Sequence, residues 1–286
     1  MALLGAVLIG AAPPCAAASI ATASNTAAAE RRPPLPRQSF REAARTFFDD
    51  GAYLLSFPAR PTAKGVWTAA GFSAGTLLLI ERDDRIRAEV LESDSRSADR
   101  LGHLFEPLGR APVEAAALGV WYAAGRLARR PHSTATAATA FEAYLWTFAI
   151  TSVAKAAFGR ERPTGDADAH GFFEDDTIFP SGHTSRSFAI AAVLADRYGR
   201  RAAWMAYPMA ALIGLATVQQ DTHWASDVLA GAGLGLAIGK GIASRHRPAP
   251  AADPAPMGQG ASSRPAQPVD WGFRMVADGA LLCVRY

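Results

Sequence analysis

The stretch that decides the fold runs from residue 179 to residue 195 and reads FPSGHTSRSFAIAAVLA. Pro180 and Gly182 favour a tight turn, and the residues after it begin an apolar helix with Ser181 near the N-cap position. Such a helix start points unpaired backbone N–H groups at an anion, and Gly182 lets the backbone approach it closely. The stretch therefore predicts a phosphate site with His183 beside the bound group. The alternative is an ordinary serine cap with a surface histidine.

On both sides of this stretch lie further apolar stretches, at residues 65–80, 113–128, 134–158, 202–218 and 228–243. With residues 188–195 they predict an all-α fold, a helical bundle of about six core helices. Most are 16 or 17 residues long, against roughly 20 for a typical membrane span, so the bundle could be membrane-embedded or soluble. Residues 39–54 predict an additional amphipathic helix that covers the bundle or lies on a membrane surface.

The charges of the connections indicate an orientation. RLARRPH (126–132) and RYGRR (197–201) are short and positive and fall on one side of an alternating bundle, whereas the acidic residues 165–176 fall on the other. If the helices span a membrane, the positive-inside rule puts the acidic side outside the cytoplasm. An exported amino terminus would start helix 65–80 outside, whereas the loop charges require it to start inside. Either the signal is not cleaved, or the bundle is not a simple six-span protein.

The two ends of the chain differ in composition from the middle. Residues 1–18 are predicted to be a signal peptide or anchor, and residues 19–38 a linker. Residues 39–246 then form the helical domain that carries the chemistry. Residues 247–286 are a Pro/Ala-rich tail in which Asp278-Gly279 predicts a short hairpin of residues 273–276 and 281–284, the alternative being an unstructured end.

Composition argues against several functions. Cys15 and Cys283 are the two cysteines of the chain and neither has a CxxC or Cys/His neighbour in sequence, so neither a disulfide framework nor a zinc site can be argued from them. The net charge is only +3 and no basic stripe is interleaved with aromatic residues, so no nucleic-acid partner is expected. No cofactor is expected either, and the sequence leaves the oligomeric state open.

Three charged clusters are predicted at helix ends on one side of the bundle: KAAFGRERP (155–163), FPSGHTSR (179–186) and DTHWASD (221–227). In the last, His223 and Asp227 are spaced i, i+4, so on a helix the carboxylate can accept the Nδ1–H of the imidazole. That leaves Nε2 free to attack phosphorus. The alternative is a structural pair in which Asp227 caps the last helix.

The other two clusters supply the remaining groups. Lys155 and Arg162 bring two cations to the oxygens that gather charge in the transition state. His183 can protonate the leaving oxygen and later deprotonate the hydrolytic water.

With these three clusters the chain resembles the type 2 phosphatidic acid phosphatase family, which shares its core with vanadium haloperoxidases. The family pattern is K-x6-RP, then PSGH, then SR-x5-H-x3-D. The resemblance spans about residues 60–245 and implies a nucleophile at His223, a carboxylate partner at Asp227 and a general acid at His183. The residues that it implies as phosphate ligands are Lys155, Arg162, Ser181 and Gly182. It implies no metal.

One position departs from the family pattern. The expected Ser-Arg falls on Ala216 and Thr217, so a phosphate-binding guanidinium is missing from its usual place. Losing such a contact costs roughly a hundred- to a thousand-fold in rate. We predict that Arg186, one helical turn after His183, takes its role; the alternative is that Arg186 is a solvated surface residue.

The sequence therefore predicts a phosphatase that acts on phosphomonoesters, lipid phosphates or lipid pyrophosphates through a phosphohistidine. The alternatives are an envelope protein that binds phospholipid or phosphate without turnover and, with less support because the cationic set is incomplete, a vanadate-dependent haloperoxidase. Membrane association is expected, in a bacterial-type inner membrane with the site facing the periplasm; the alternative is a soluble periplasmic protein.

Overall fold

The computed structural model describes residues 40–56, 62–93, 95–164, 168–173 and 177–247, and the backbone of residues 271–276 and 279–284. The predicted signal or anchor and the predicted linker lie outside these residues. The chain divides into two units, residues 1–46 and 47–286. Of the first unit, only the beginning of helix α1 is described.

Nine α-helices make up the described part of the bundle, which confirms the predicted all-α fold. They are α1 (Phe40–Leu55), α2 (Ala63–Ile80), α3 (Asp83–Glu92), α4 (Arg96–Phe105), α5 (Ala111–Leu127), α6 (Pro131–Phe158), α7 (Gly182–Tyr198), α8 (Arg200–Gln219) and α9 (Ala225–Arg245). A 3₁₀ turn (Glu106–Gly109) joins α4 to α5. The six predicted apolar stretches correspond to α2 and α5 to α9. Helices α3 and α4 were not predicted, because they are short and charged and carry no long apolar run.

Helix α7 lies at the centre of the bundle, in contact with α6, α8 and α9. Its approach to α9 depends on a row of glycines, Gly231, Gly235 and Gly239, spaced one helical turn apart. A Cβ at Gly231 would lie 2.6 Å from the carbonyl oxygen of Ser181, and one at Gly235 would be closer still to that of Ser185. Small residues in such a row let two helix backbones touch. The glycines therefore hold the start of α7 beside the start of α9.

The outer surface of the bundle is apolar. Helices α2, α8 and α9 are long enough and apolar enough to cross a membrane, and α2 buries only Thr76 against the protein. Large apolar side chains stay exposed on several helices, among them Trp67 (77% exposed), Val120 (70%) and Trp204 (69%). Together with the three possible membrane-spanning helices, so many exposed apolar side chains indicate contact with lipid.

The core helices alternate in direction along the chain. Two short connections therefore lie at one end of the bundle, residues 128–130 between α5 and α6 and Gly199 between α7 and α8. Arginines lie in the first connection and on both sides of the second. The starts of α7 and α9 lie at the other end. Helix α2 also ends there, since Asp83, just beyond it, binds Ser226 at the start of α9. Helix α2 thus starts at the end of the positive connections, as the loop charges require.

Helix α1 packs on the bundle from Phe47 onwards, which is one of its two predicted placements. The ring of Phe47 stacks on Trp146 of α6 with centroids 4.8 Å apart. The buried carboxylate of Asp50 binds Arg245 and lies 2.7 Å from Nε2 of His246, at the end of α9.

Beyond the helical part, Trp271–Val276 (β1) and Gly279–Val284 (β2) form an antiparallel pair in which Val276 pairs with Gly279. This is the hairpin predicted for the tail, with each strand beginning two residues earlier than expected.

Candidate active site

The start of α7 has the geometry of an anion site. Ser181 caps the helix, because its Oγ accepts hydrogen bonds from the amide of Thr184 (3.4 Å) and from its hydroxyl (3.1 Å). The amides of Gly182 and His183 are the first two of the helix, so no carbonyl within the helix can accept their hydrogens. The amides of Gly182 and His183 are therefore the ones available to an anion, whereas the amide of Ser181 donates to the carbonyl of Asp227 at 3.0 Å.

His223 lies in the turn before α9 rather than on the helix, which corrects the predicted helical spacing of His223 and Asp227. The two side chains nevertheless meet, with Nδ1 of His223 3.3 Å from Oδ2 of Asp227. The same oxygen accepts the amide of Trp224 at 3.1 Å. Asp227 thus both caps the helix and orients the imidazole, so the two interpretations offered by the sequence hold together.

The two histidines face each other across one site. The ring centroids of His183 and His223 are 6.0 Å apart, with the ring planes at 70°. Nε2 of His183 is 3.2 Å from Oε1 of Glu106. The geometry is not that of a hydrogen bond, and this buried nitrogen has no hydrogen-bond partner among the described residues. This nitrogen is therefore available to bind a ligand or a water molecule at the site.

The two predicted cations of residues 155–163 differ in their surroundings. The ammonium of Lys155, near the end of α6, donates to the carbonyls of Thr177 and Ile178 at 3.0 Å each, just before the cis peptide bond between Phe179 and Pro180. Its Cε lies 3.6 Å from where a Cβ on Gly182 would stand. Arg162 is exposed in the segment after α6.

The charges around His223 set its protonation. Burial lowers the pKa of His223 below its ordinary value, and the positive charges of Lys155 and Arg162 lower that pKa further. The hydrogen bond and the charge of Asp227 oppose this shift and raise the pKa. The imidazole is therefore held neutral, the form that carries a lone pair for attack.

Arg186 is buried rather than solvated. Its Nε donates to Oε2 of Glu114 at 2.7 Å and its Nη2 donates to the carbonyl of Gly109 at 2.8 Å. Its Nη1 lies 2.8 Å from where a Cβ on Gly182 would stand. Two parts of the guanidinium are thus fixed by the protein, and the third lies beside the cradle.

Thr217 occupies the place where the family pattern has an arginine. Its side chain is buried and donates to the carbonyl of Gly214 at 2.6 Å. Its own carbonyl accepts the amides of Thr222 (3.0 Å) and His223 (3.3 Å). Thr217 therefore shapes the turn that carries His223 but brings no charge to the site.

Sequence reasoning missed a group of fully buried side chains behind His223, formed by Asp83, Arg160 and Ser226. Arg160 lies between the two matched cations of residues 155–163, where an additional basic residue was the available signal. Asp83 comes from the short charged segment after α2, and nothing in the sequence relates it to residues 143 positions later. Glu106 and Glu114 were also missed, because their contacts with His183 and Arg186 join residues that are far apart in the sequence.

The chain is similar in sequence and in fold to known phosphatases. Residues 136–249 match the family profile of the PAP2 superfamily. A segment of 94 residues is 36% identical to the lipid A 1-phosphatase of Porphyromonas gingivalis; it covers 32% of this chain but only 19% of that protein. The fold is similar to the crystal structure of a transmembrane PAP2 type phosphatidylglycerolphosphate phosphatase from Bacillus subtilis. The TM-score is 0.51 and the identity 18%, over 63% of this chain and 98% of the other.

Proposed function

The chain belongs to the PAP2 superfamily, and on that premise we propose that it is a phosphatase that hydrolyses phosphate esters through a phosphohistidine on His223. The observation that carries the proposal is the pair of histidines 6.0 Å apart beside the start of α7, one of them oriented by a carboxylate. Both imidazoles thus lie at one site, where each can act on the same phosphoryl group.

The reaction proceeds in two displacements. Nε2 of His223 attacks phosphorus, the bond to the ester oxygen breaks, and His183 gives its proton to that oxygen. Asp227 stabilises the imidazolium of the phosphohistidine. His183, now neutral, takes a proton from water, whose oxygen attacks phosphorus and releases His223 and inorganic phosphate.

The phosphoryl oxygens are held by amides and cations. The amides of Gly182 and His183, with the ammonium of Lys155 and the guanidinium of Arg162, neutralise charge that builds up in the transition state. Arg186 supplies the guanidinium that Thr217 does not, with its Nη1 beside Gly182. Because Glu114 and Gly109 hold the rest of the group, little side-chain entropy is lost when it binds.

We propose a phosphorylated lipid as the substrate, and the apolar surface of the bundle supports this choice. The site lies at the ends of helices whose outer faces carry exposed Trp67 and Val120, so a lipid can present its phosphate while its chains stay in the bilayer. The relatives are named for a lipid A phosphate and for phosphatidylglycerolphosphate. Small phosphomonoesters remain the alternative substrates.

We propose a location on the same geometry. Arg129 and Arg130, between α5 and α6, and Arg200 and Arg201, at the start of α8, lie at the end of the bundle opposite the site. By the positive-inside rule that end is cytoplasmic. The site then faces the periplasm from an inner membrane.

The proposal is tested by phosphate release from purified protein in detergent. Phosphatidic acid, undecaprenyl pyrophosphate and a small phosphomonoester are compared for wild type and for His223→Ala. We expect at least one lipid substrate to be hydrolysed faster than the small ester, with no release by the variant. Release that is equal in wild type and variant would overturn the proposal, and a preference for the small ester would overturn the lipid assignment.

Thr217 favours a second candidate function, that of a protein that binds phosphorylated lipid without turnover, since the chain lacks one family guanidinium. A single-turnover assay separates the two functions. Release of one equivalent of the alcohol product in a fast phase identifies an enzyme, whereas saturable binding with no product identifies a binder.

A further inference from the structure

A charged network lies directly behind the nucleophile, on the side of Asp227 away from His223. Its members come from three separate parts of the chain: Asp83 from the start of α3, Arg160 from the segment after α6, and Ser226 and Asp227 from the start of α9. All four side chains are fully buried or nearly so. The network is therefore closed to solvent, so water cannot replace the partners of its charged groups.

Arg160 uses all five of its N–H groups in hydrogen bonds, three of them to members of this network and two to the carbonyl of Ala169. Nη1 donates to Oδ1 of Asp227 and to the hydroxyl of Ser226 at 2.6 Å. Nη2 donates to Oδ2 of Asp83 at 2.8 Å and to the carbonyl of Ala169 at 2.6 Å, and Nε donates to the same carbonyl at 3.0 Å. A guanidinium held at every donor has one position, and it fixes the carboxylate of Asp227 in the orientation that meets His223.

Asp83 is held as firmly. Its Oδ1 accepts the amide of Ser226 at 3.0 Å, and its Oδ2 accepts the hydroxyl of Ser226 as well as Arg160. Burial raises the pKa of Asp83, and the donors Ser226 and Arg160 oppose that rise. Among the contacts described, its oxygens face three donors and no acceptor. This environment suits the ionised carboxylate, which only accepts hydrogen bonds.

The net charge of the network changes when His223 reacts. Asp83 and Asp227 together carry two negative charges against the single positive charge of Arg160, so the network is negative by one while His223 is neutral. When His223 attacks phosphorus its ring becomes cationic, and the buried group as a whole then becomes neutral. Without Asp83, Arg160 alone would neutralise Asp227 and weaken its attraction for the imidazolium.

We infer that Arg160 and Asp83 are positioning residues of this site: Arg160 fixes the carboxylate of Asp227 against His223, and Asp83 supplies the negative charge that keeps Asp227 effective. This inference rests on the proposed function, since it concerns the cation that forms on His223. It adds to the motif residues two side chains that do not touch the substrate.

Other charged groups also face His223 and must be kept constant in a test. They are His183 from α7, Lys155 from α6, Arg162 from the segment after α6, and Asp227 from α9. Asp221, in the same turn as His223, forms a bidentate pair with Arg87 of α3. None of these groups is changed by a substitution at Asp83.

The test compares Asp83→Asn with Asp84→Asn, which removes the neighbouring, exposed carboxylate. The measurements are kcat, inhibition by inorganic phosphate, and the pH dependence of kcat/KM on the best substrate of the panel. For Asp83→Asn we expect kcat to fall about tenfold and the acid limb to move to lower pH by roughly half a unit to one unit. Phosphate inhibition should stay within about twofold of wild type, and Asp84→Asn should match wild type.

An opposite charge change gives the second arm. Arg160→Gln removes the positive charge, so the acid limb should move to higher pH, a reversal that loss of structure alone would not produce. This arm decides the question if Asp83→Asn does not fold. Acid limbs that stay at the wild-type position in the folded variants, with or without a fall in kcat, would overturn the inference. If wild type itself releases no phosphate, the proposed function fails instead.

Discussion

The amide of Ser181 donates a hydrogen bond to the carbonyl oxygen of Asp227 at 3.0 Å, and this bond joins the starts of α7 and α9. One helix start carries the amides that we propose to bind the phosphoryl group, and the other carries the carboxylate that contacts His223. This backbone contact therefore helps to set the distance between the proposed anion cradle and the proposed nucleophile. The glycine row of α9 permits this contact, because it lets the two helices approach at the backbone.

The glycine row gives the first prediction. Gly235→Ala forces a Cβ into the carbonyl group of Ser185, and we expect a loss of about 1 to 3 kcal/mol of stability together with lower activity, since α7 and α9 must separate. Gly71→Ala is the matched control, because no atom lies within 4 Å of the new Cβ in helix α2. Thermal unfolding in detergent should show a lower Tm for the first variant and an unchanged or slightly higher Tm for the second.

Arg186 gives the second prediction. Arg186→Lys keeps a positive charge but loses the forked contacts to Glu114 and Gly109, and we expect kcat/KM to fall by about a hundred- to a thousand-fold because the lysine cannot hold a donor beside Gly182. Arg129→Ala, at the opposite end of the bundle, should leave kinetics unchanged. Wild-type kinetics in the Arg186 variant would show that this arginine does not replace the missing one.

The pH dependence gives the third prediction. His223 must be neutral to attack, so activity is lost as pH falls through its pKa. Burial and the charges of Lys155 and Arg162 lower that pKa, so the acid limb of kcat/KM should lie below the ordinary histidine value of about 6.5. Asp227→Asn removes the group that raises the pKa, and its acid limb should lie lower still. A wild-type limb at or above 6.5 would contradict this assignment.

The sequence was sufficient for the helices that are long and apolar and for the motif residues at their ends. Lys155, Ser181, His183 and His223 could be proposed as site residues in this way because each lies at the edge of an apolar run, and the structure brings the last three together at the starts of α7 and α9. Helix α3 could not, because a ten-residue charged helix has no distinctive period. Its Asp83 matters only through contacts with Ser226 and Arg160, and one sequence carries no information about contacts over such separations.

The position of Arg186 shows the same limit. Its spacing from His183 could be read from the sequence, but its fixed orientation depends on Glu114 of α5 and Gly109 of the 3₁₀ turn. The turn that carries His223 is another example. The i, i+4 spacing predicted the contact with Asp227 correctly, although the helix begins only at Ala225.

The most direct test of the account is to trap the covalent intermediate. Protein is mixed with a ³²P-labelled substrate, quenched within milliseconds under alkaline conditions that preserve phosphohistidine, and digested for peptide mapping. We predict label on the peptide that contains His223, formed at least as fast as turnover and absent from His223→Ala. Turnover by wild type without any labelled protein, or label that persists in His223→Ala, would contradict the assignment of His223 as the nucleophile.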